Sequence, residues 1–214
     1  MNFLMTARRS LIIVLFFLLV LVCGTTRAQQ TTAELTGTVG HFFAGSYTLS
    51  GGQIDLEDAP VYGGILDFPA SRDVSVELSY SYSKSHSKYY AYYPLPGQDA
   101  YDTDVGINYI LAGALHEVKK GKVTPFGGVM LGAVFFDPTN PRYSSQWRMA
   151  IGFQLGMKFD LGDRLGLRLG GRLLFPLYIY GATVYGGSGG AGYGVSAGIP
   201  IVQGDLSAGL SVKF

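Results

Sequence analysis

The side chains in this sequence best suited to act as a catalytic base are its three histidines, His41, His86 and His116. A histidine that activates a serine is normally oriented by a carboxylate, and His86 lies between Ser85 and Ser87 with no carboxylate close by in the sequence. His41 and His116 are expected at opposite ends of the fold, so they cannot form a metal cluster. The sequence therefore predicts no catalytic residue, no metal site and no cofactor.

Several stretches alternate between apolar and polar or small residues, and their charged side chains all occupy the second set. This places the charges on one face of predicted strands. In a narrow, poorly hydrated interior such charges are costly unless they pair. We predict that Glu77 pairs with Arg168 or, higher on the same inward face, with Arg172. Glycines four apart on the same face, such as Gly152 and Gly156, are predicted to make room for these long side chains. The predicted interior charge network comprises Glu77, Asp104, Arg148, Lys158, Arg168 and Arg172, with Asp73, Asp160, Asp205 and Lys213 at further inward positions.

Most of these cations lie in residues 147–175, WRMAIGFQLGMKFDLGDRLGLRLGGRLLF. The period-two alternation predicts two strands around a short turn, because a helix with this sequence would have no continuous apolar stripe. From Trp147 to Phe159 a strand extends about 40 Å at roughly 3.3 Å per residue, and a tilt of about 40° reduces this to about 30 Å, the thickness of the hydrocarbon core. These two aromatic residues, with Phe175 and the terminal Phe214, are predicted to form girdles at the water–lipid boundaries.

Similar alternation elsewhere raises the number of predicted strands to eight. In the fourth strand we expect a bulky apolar set to face lipid, namely Val105, Ile107, Tyr109, Leu111, Gly113 and Leu115. Short and long connections follow each other in strict order, which is typical of a barrel with periplasmic turns and external loops. The short ones are 69–72, 119–122 and 161–164, and the long ones are 44–60, 84–101, 137–146 and the glycine-rich tip 186–190. The sequence therefore predicts an all-β fold, an eight-stranded antiparallel transmembrane up-and-down β-barrel, whose closure leaves no unpaired strand edge in lipid.

Composition and the first residues indicate the compartment. The 214 residues carry a net charge of +1, only 14% are charged, and no Lys/Arg cluster offers nucleic acid a binding surface. Residues 1–28 are predicted to be a cleavable signal peptide for the Sec pathway, with an apolar run at 11–22. Arg8 and Arg9 precede that run, and Thr26, Arg27 and Ala28 supply the cleavage site. The mature chain, 29–214, is then a single barrel domain.

The signal segment allows two other interpretations. Arg8 and Arg9 could belong to a twin-arginine signal, but a barrel must cross the inner membrane unfolded. Cys23 could carry a lipid, but it follows Val22 where a lipoprotein signal needs a small residue. Because Cys23 is the only cysteine and is removed with the signal peptide, the mature protein can form no disulfide or thiolate metal site.

Three segments resemble a known family: TPFGGVMLGAVFF, IGFQLGMKFDLGDRLGLRLGGRLLF and LSAGLSVKF with its terminal phenylalanine. They are similar to the small outer-membrane β-barrels, which include OmpA-type, OmpX-type and opacity-type domains, and the resemblance covers residues 34–214. It implies a monomer in the bacterial outer membrane, surrounded by the lipid bilayer and lipopolysaccharide. It also implies periplasmic chaperones and the outer-membrane assembly machinery as partners, with Leu210, Val212 and Phe214 similar to the assembly signal.

The architecture leaves three functions open. The first is a non-enzymatic structural or surface-interaction role through the external segments 84–101 and 178–200, of which the tyrosine-rich residues 89–93 are a candidate contact. The second is a narrow porin-like channel for small solutes. The third is an enzyme that modifies lipid A, for which His86 lacks the outward His-x-Ser arrangement of lipid A deacylases. The sequence favours the first function, because an eight-stranded barrel is just wide enough for side chains to fill.

Overall fold

A computed structural model describes residues 33–49, 52–91, 102–119, 121–140, 144–187, 190–198 and 201–214. The predicted signal peptide lies outside these ranges. The strands are β1 (Glu34–Phe43), β2 (Ser46–Leu49), β3 (Gly52–Leu56), β4 (Ala59–Pro69), β5 (Val74–Ala91), β6 (Asp102–Glu117), β7 (Val123–Pro138), β8 (Gln146–Asp160), β9 (Leu165–Gly187), β10 (Gly190–Gly198) and β11 (Gln203–Lys213). No helix among the described residues is long and apolar enough to cross a membrane.

Eight of the strands form a closed antiparallel barrel, as the sequence predicts. β1, β4 to β9 and β11 each pair with two neighbours in this ring. The first and last strands close it, with Glu34 opposite Lys213 and Phe43 opposite Gly204. The backbone groups of all eight strands are therefore paired around the ring, which is what a lipid environment requires.

Alternation decides which side chains face lipid and which face the lumen. In β5 the apolar series is exposed, with Val76 at 47% and Tyr80 at 48%, while Glu77 between them is 0% exposed. The outward positions of β8, β9 and β11 follow the predicted phase, and Leu155 and Leu210 are among the most exposed apolar residues. The barrel therefore has a continuous apolar exterior that only lipid can cover.

The predicted phase of β6 is wrong. Leu111 is 0% exposed and faces the lumen, whereas Ile110 faces outward with 46% of its surface exposed. Both faces of β6 are apolar, so the alternation of polar and apolar residues does not show which face meets lipid. The face with the larger side chains was expected there. The register decides otherwise, because Leu111 lies opposite the inward Ser79 of β5 and paired residues of adjacent strands share a face. The large apolar side chains of β6, which are Val105, Ile107, Tyr109, Leu111 and Leu115, thus fill the barrel.

The predicted external loops contain more strand than expected. β2 and β3 form a hairpin within 44–60, and β3 extends the sheet along β5 with Leu56 opposite Ser87. β5 itself continues through Ala91, so His86 lies on a strand rather than in a loop. At the last long connection β9 and β10 pair up to the glycine-rich tip. The strands remain paired beyond the bilayer because hydrogen bonds between them bind backbone N–H and C=O groups, which an open loop would leave to water.

The structure also changes one girdle position. Trp147 and Phe214 are exposed on the outer surface, but Phe175 lies opposite Ile151 rather than at the level of Trp147. The register explains the difference, because Phe159 pairs with Leu167 and Met149 with Leu177, so the position opposite Trp147 lies beyond Leu177. Phe175 instead packs edge-on against Phe153, with ring centroids 5.8 Å apart.

The orientation of the barrel can be tested by labelling, because the predicted mature chain has no cysteine. Ser145 is exposed beside the start of β8, and Gly162 is exposed in the turn after it, with open space around its Cα. In intact cells a membrane-impermeant maleimide is expected to label Ser145→Cys and to leave Gly162→Cys unlabelled until the outer membrane is permeabilised. Labelling of Gly162→Cys in intact cells would invert the topology.

Candidate functional site: the lumenal charge cluster

Six charged side chains meet in the half of the lumen nearest the short turns, and we call them the lumenal cluster. Each comes from a different strand, β1, β4, β5, β6, β8 or β9, and each occupies an inward position. None of these side chains is more than 11% exposed. The lumenal cluster consists of Glu34, Asp67, Glu77, Glu117, Lys158 and Arg168.

Arg168 is the centre of one half of the cluster. Its Nη1 donates to Asp67 Oδ2 at 2.9 Å, and its Nη2 donates to Glu77 Oε2 at 2.6 Å. Nη2 also donates to Gln154 Oε1 at 3.2 Å, and the guanidinium carbon lies 4.4 Å from the centre of the Phe126 ring. The predicted pair of Glu77 and Arg168 is thus confirmed, with cation–π stacking as an additional contact.

Lys158 is the centre of the other half. Its Nζ lies 2.9 Å from Asp67 Oδ2 and 2.8 Å from Glu117 Oε1, with Glu34 Oε2 at 3.8 Å. None of these three acids belongs to the interior charge network predicted from the sequence. Inward alternation in β1 and β4 could have found two of them, whereas Glu117 was missed because the phase of β6 was inverted.

Arg172 belongs to a separate pair, higher than Arg168 on the same inward face of β9. Its Nε donates to both oxygens of Asp205, at 3.1 and 2.9 Å, and its Nη2 donates to Ser81 Oγ at 3.0 Å. Asp205 is its register partner on β11, so the pair joins neighbouring strands. The predicted alternative, Arg172 with Glu77, does not form.

Besides Arg172, two further residues of the predicted network lie outside the cluster. Arg148 is near the outer end of β8, where it donates to the Trp147 carbonyl at 2.8 Å and to the side chain of Gln146. Asp104 follows the corrected phase of β6 and faces outward, bonded to Lys84 at 2.6 Å. It is therefore an exterior residue rather than a lumenal one.

Asp104 also changes the expectation for His86. Its Oδ1 lies 2.9 Å from His86 Nδ1, so a carboxylate does orient this imidazole. The two residues are 18 positions apart in the sequence but directly opposite in the register of β5 and β6. Ser85 faces the lumen and donates to the Glu57 carbonyl at 2.6 Å, which places it on the opposite side of β5 from His86. This serine and His86 therefore cannot act as a nucleophile and base pair.

Above the charges, the lumen is filled by apolar side chains. They include Phe42, Val61, Ile107, Tyr109, Leu111, Met130, Val134 and Leu174. Tyr109 donates to Gln203 Oε1, and Gln203 Nε2 donates to the Ala44 carbonyl at 3.1 Å, so the polar groups of this layer are paired. The interior was predicted as a charge network, so this apolar layer is a correction. The inverted phase of β6 hid Ile107, Tyr109 and Leu111, whereas the other fillers lie at inward positions of strands whose phase was predicted correctly.

The lumenal glycines make room for these fillers more than for the cations. A Cβ on Gly156 would lie 2.5 Å from the Phe126 ring, and one on Gly152 would lie 3.3 Å from Leu174. Both glycines are on the predicted face. Their absent side chains allow aromatic and aliphatic groups to cross the barrel, and Arg168 then stacks on Phe126.

Comparison with known proteins shows the fold. No protein-family model matches the chain, and no curated protein matches its sequence. The crystal structure of Neisserial surface protein A superposes with a TM-score of 0.57 at 18% identity, over 85% of this chain and 97% of that one. The outer membrane protein OprG from Pseudomonas aeruginosa gives a TM-score of 0.62 at 13% identity, over 86% and 96% of the two chains. This chain has the fold of the small outer-membrane β-barrels.

The exposed apolar exterior of this barrel is the surface that a membrane-spanning barrel of this fold presents to a lipid bilayer. Within the described part of the chain, no three His, Cys, Asp or Glu side chains are placed to hold a metal ion. The lumen contains ion pairs and apolar contacts. The outer rim carries the pair of His86 and Asp104.

Proposed function

We propose that this outer-membrane barrel is non-enzymatic and acts as a structural or surface-interaction protein through its external strands and loops. The observation that carries the proposal is the filled lumen. Glu77 in the charge layer and Leu111 and Met130 in the apolar layer are each 0% exposed. A water-filled pore would leave side chains at these positions wet, so the interior favours a plugged barrel over a channel for small solutes.

Conductance measurements separate the plugged barrel from the channel. The purified protein in planar lipid bilayers is expected to give no stepwise conductance, with a large open porin inserted in the same chamber as the positive control. Uniform conductance steps from this barrel would contradict the proposal and support the channel.

The parts that project beyond the bilayer favour a surface role. β5 and β9 have 18 and 23 residues. At roughly 3.3 Å per residue and a tilt of about 40°, they rise about 45 and 58 Å, against a hydrocarbon core of about 30 Å. The hairpin of β2 and β3 widens this extension along β5. A paired sheet of this length presents a more rigid binding surface than a loop of the same composition.

Outward charges on the projecting part of β5 suggest lipopolysaccharide as the partner. Lys84, His86 and Lys88 recur at alternate positions, bonded to Asp104 and Glu57. The hydrogen bond and charge of Lys88 hold the pKa of the Glu57 carboxyl below its usual value. Exposed tyrosines lie directly below, with Tyr62 opposite Tyr82 on the adjacent strand. Lysines above an aromatic boundary are placed to contact the phosphates of lipid headgroups.

Two double variants with the same charge change test this partner. Lys84→Gln/Lys88→Gln is expected to weaken binding of lipopolysaccharide to the detergent-solubilised barrel several-fold, because two cations at the outer lipid level are lost. Lys119→Gln/Lys122→Gln, in the opposite turn, is the control and is expected to bind as the wild type does. Equal loss in both variants, or none in either, would contradict a specific contact on β5.

We propose that periplasmic chaperones and the outer-membrane assembly machinery deliver the chain, and that it functions as a monomer. The exterior pairing of His86 with Asp104 does not change the non-enzymatic assignment, because Ser85 faces the lumen. Mass spectrometry of lipid A from cells with and without the protein is expected to show no difference. A change in its acylation would support an enzyme instead.

A further inference from the structure

The lumenal cluster carries more negative than positive charge. Four carboxylates, Glu34, Asp67, Glu77 and Glu117, surround only two cations, Lys158 and Arg168. All six side chains are nine-tenths buried or nearly so. Lys119, in the turn after β6, acts electrostatically on Glu117 and balances a third carboxylate, so one negative charge of the cluster is left unmatched. Uncompensated charge in such surroundings is strongly unfavourable, so the imbalance requires an additional positive group.

Unpaired polar atoms show where that group is missing. Asp67 Oδ1 and Glu77 Oε1 are buried without a hydrogen-bond partner, although the second oxygen of each carboxyl is bound to Arg168. The Nε2 of Gln154 is also buried without a partner, while its Oε1 accepts from Arg168 at the same place. Asp67 and Glu77 lie directly opposite each other on β4 and β5. Thr36 Oγ1 on β1 is also buried without a partner, but this hydroxyl carries no charge. The charge deficit is therefore concentrated at the Asp67–Glu77 pair.

The space and the ligands around the two carboxyls determine which positive group can bind there. A water molecule could bond to the unpaired oxygens but would leave the charge unchanged. A metal ion needs several convergent oxygen ligands, and the described residues provide no such group. A proton needs no cavity, neutralises one charge, and turns one carboxyl into a hydrogen-bond donor toward an acceptor that lacks one.

We propose that the Asp67–Glu77 pair is a proton-binding site, which holds one proton taken from solvent while the barrel is folded at neutral pH. The proton forms an O–H bond on one carboxyl, and the other carboxyl remains an anion held by Arg168. This site goes beyond the surface role, because it makes the plug of the barrel sensitive to pH.

The groups that face the pair come from every strand around it. Glu34, Glu117, Lys158 and Arg168 complete the lumenal cluster, and β7 contributes the uncharged Phe126. On β11, Asp205 is bound to Arg172 above the pair and Lys213 to Asp160 below it. None of these groups is a histidine, so proton uptake at neutral pH is assigned to the carboxyls.

Infrared difference spectroscopy tests the site. The folded wild-type barrel at neutral pH is expected to show the C=O stretch of a protonated carboxyl, shifted in heavy water. Asp67→Asn and Glu77→Gln are each expected to remove this component, because the remaining carboxylate is then matched by Arg168. Asp205→Asn is the control and is expected to retain it, since both oxygens of Asp205 are bonded to Arg172.

The dependence of the unfolding temperature on pH provides a second test. The folded barrel holds a proton that the unfolded chain has released at neutral pH, so the unfolding temperature is expected to fall as the pH rises from neutral to alkaline. The fall is expected to be smaller in Glu77→Gln. Absence of a protonated-carboxyl component from the wild type would overturn the proposal, as water or a bound cation would leave all four carboxylates ionised. So would a component that survives in both Asp67→Asn and Glu77→Gln.

Discussion

Arg168→Met is expected to destabilise the folded barrel by about 3–5 kcal/mol, the cost of stranding a buried charge by removing its partner. The variant keeps the length of the side chain but removes the cation that binds both Asp67 and Glu77. The Oε1 of Gln154 would lose its donor as well. Because Arg168 is only 3% exposed, water cannot replace these bonds without opening the lumen.

Thermal unfolding in detergent, followed by the heat-modifiable migration of the barrel, measures this loss. Arg148→Met is the matched control, because Arg148 bonds near the outer rim to Trp147 and Gln146 and binds no acid of the lumenal cluster. The double variant Arg168→Met/Glu77→Met should recover part of the stability, since it removes one stranded anion along with its cation. If Arg168→Met and Arg148→Met unfold at the same temperature, the ion pairs do not support the plug.

The barrel was predictable from the sequence because most of its strands have one polar and one apolar face. In β5 serines and Glu77 alternate with valines and tyrosines, and this contrast fixes both the strand and its orientation. β6 has apolar residues on both faces, so its orientation depends on the register with β5, which alternation does not contain. A narrow barrel can also accept apolar fillers, and a bulky residue such as Tyr109 is therefore no evidence for a lipid-facing position.

The site was predictable only in part, for the same physical reason. The pair of Glu77 and Arg168 followed from matched heights on two strands of known phase. The contacts of Lys158 with Asp67 and Glu117 join strands that are distant in the sequence, and one of those strands had the wrong phase. The pairing of His86 with Asp104 required β5 to extend into the predicted loop 84–101 and Asp104 to face outward instead of inward. Side-chain partners across a barrel depend on register, which connection lengths alone do not determine.

Deletion of Phe214 is expected to remove most of the protein from the outer membrane while leaving the folded barrel nearly as stable as before. Phe214 is 69% exposed on the outer surface and follows the last residue of β11. Its main-chain bond, from its N to the Ala33 carbonyl at 3.0 Å, lies beyond the paired residues Glu34 and Lys213 that close the barrel. The deletion therefore removes little packing, and a large effect in cells would come from recognition during assembly.

Two measurements on the same variants separate recognition from stability. Refolding of the purified Phe214 deletion into detergent is expected to match the wild type, whereas its level in outer-membrane fractions is expected to drop sharply, with accumulation or degradation in the periplasm. Phe214→Tyr keeps the terminal ring, so it is expected to assemble normally and serves as the matched control. Leu210 and Val212, which face outward on the same strand, remain in both variants. Normal outer-membrane levels of the deletion would show that the terminal ring is not part of an assembly signal in this chain.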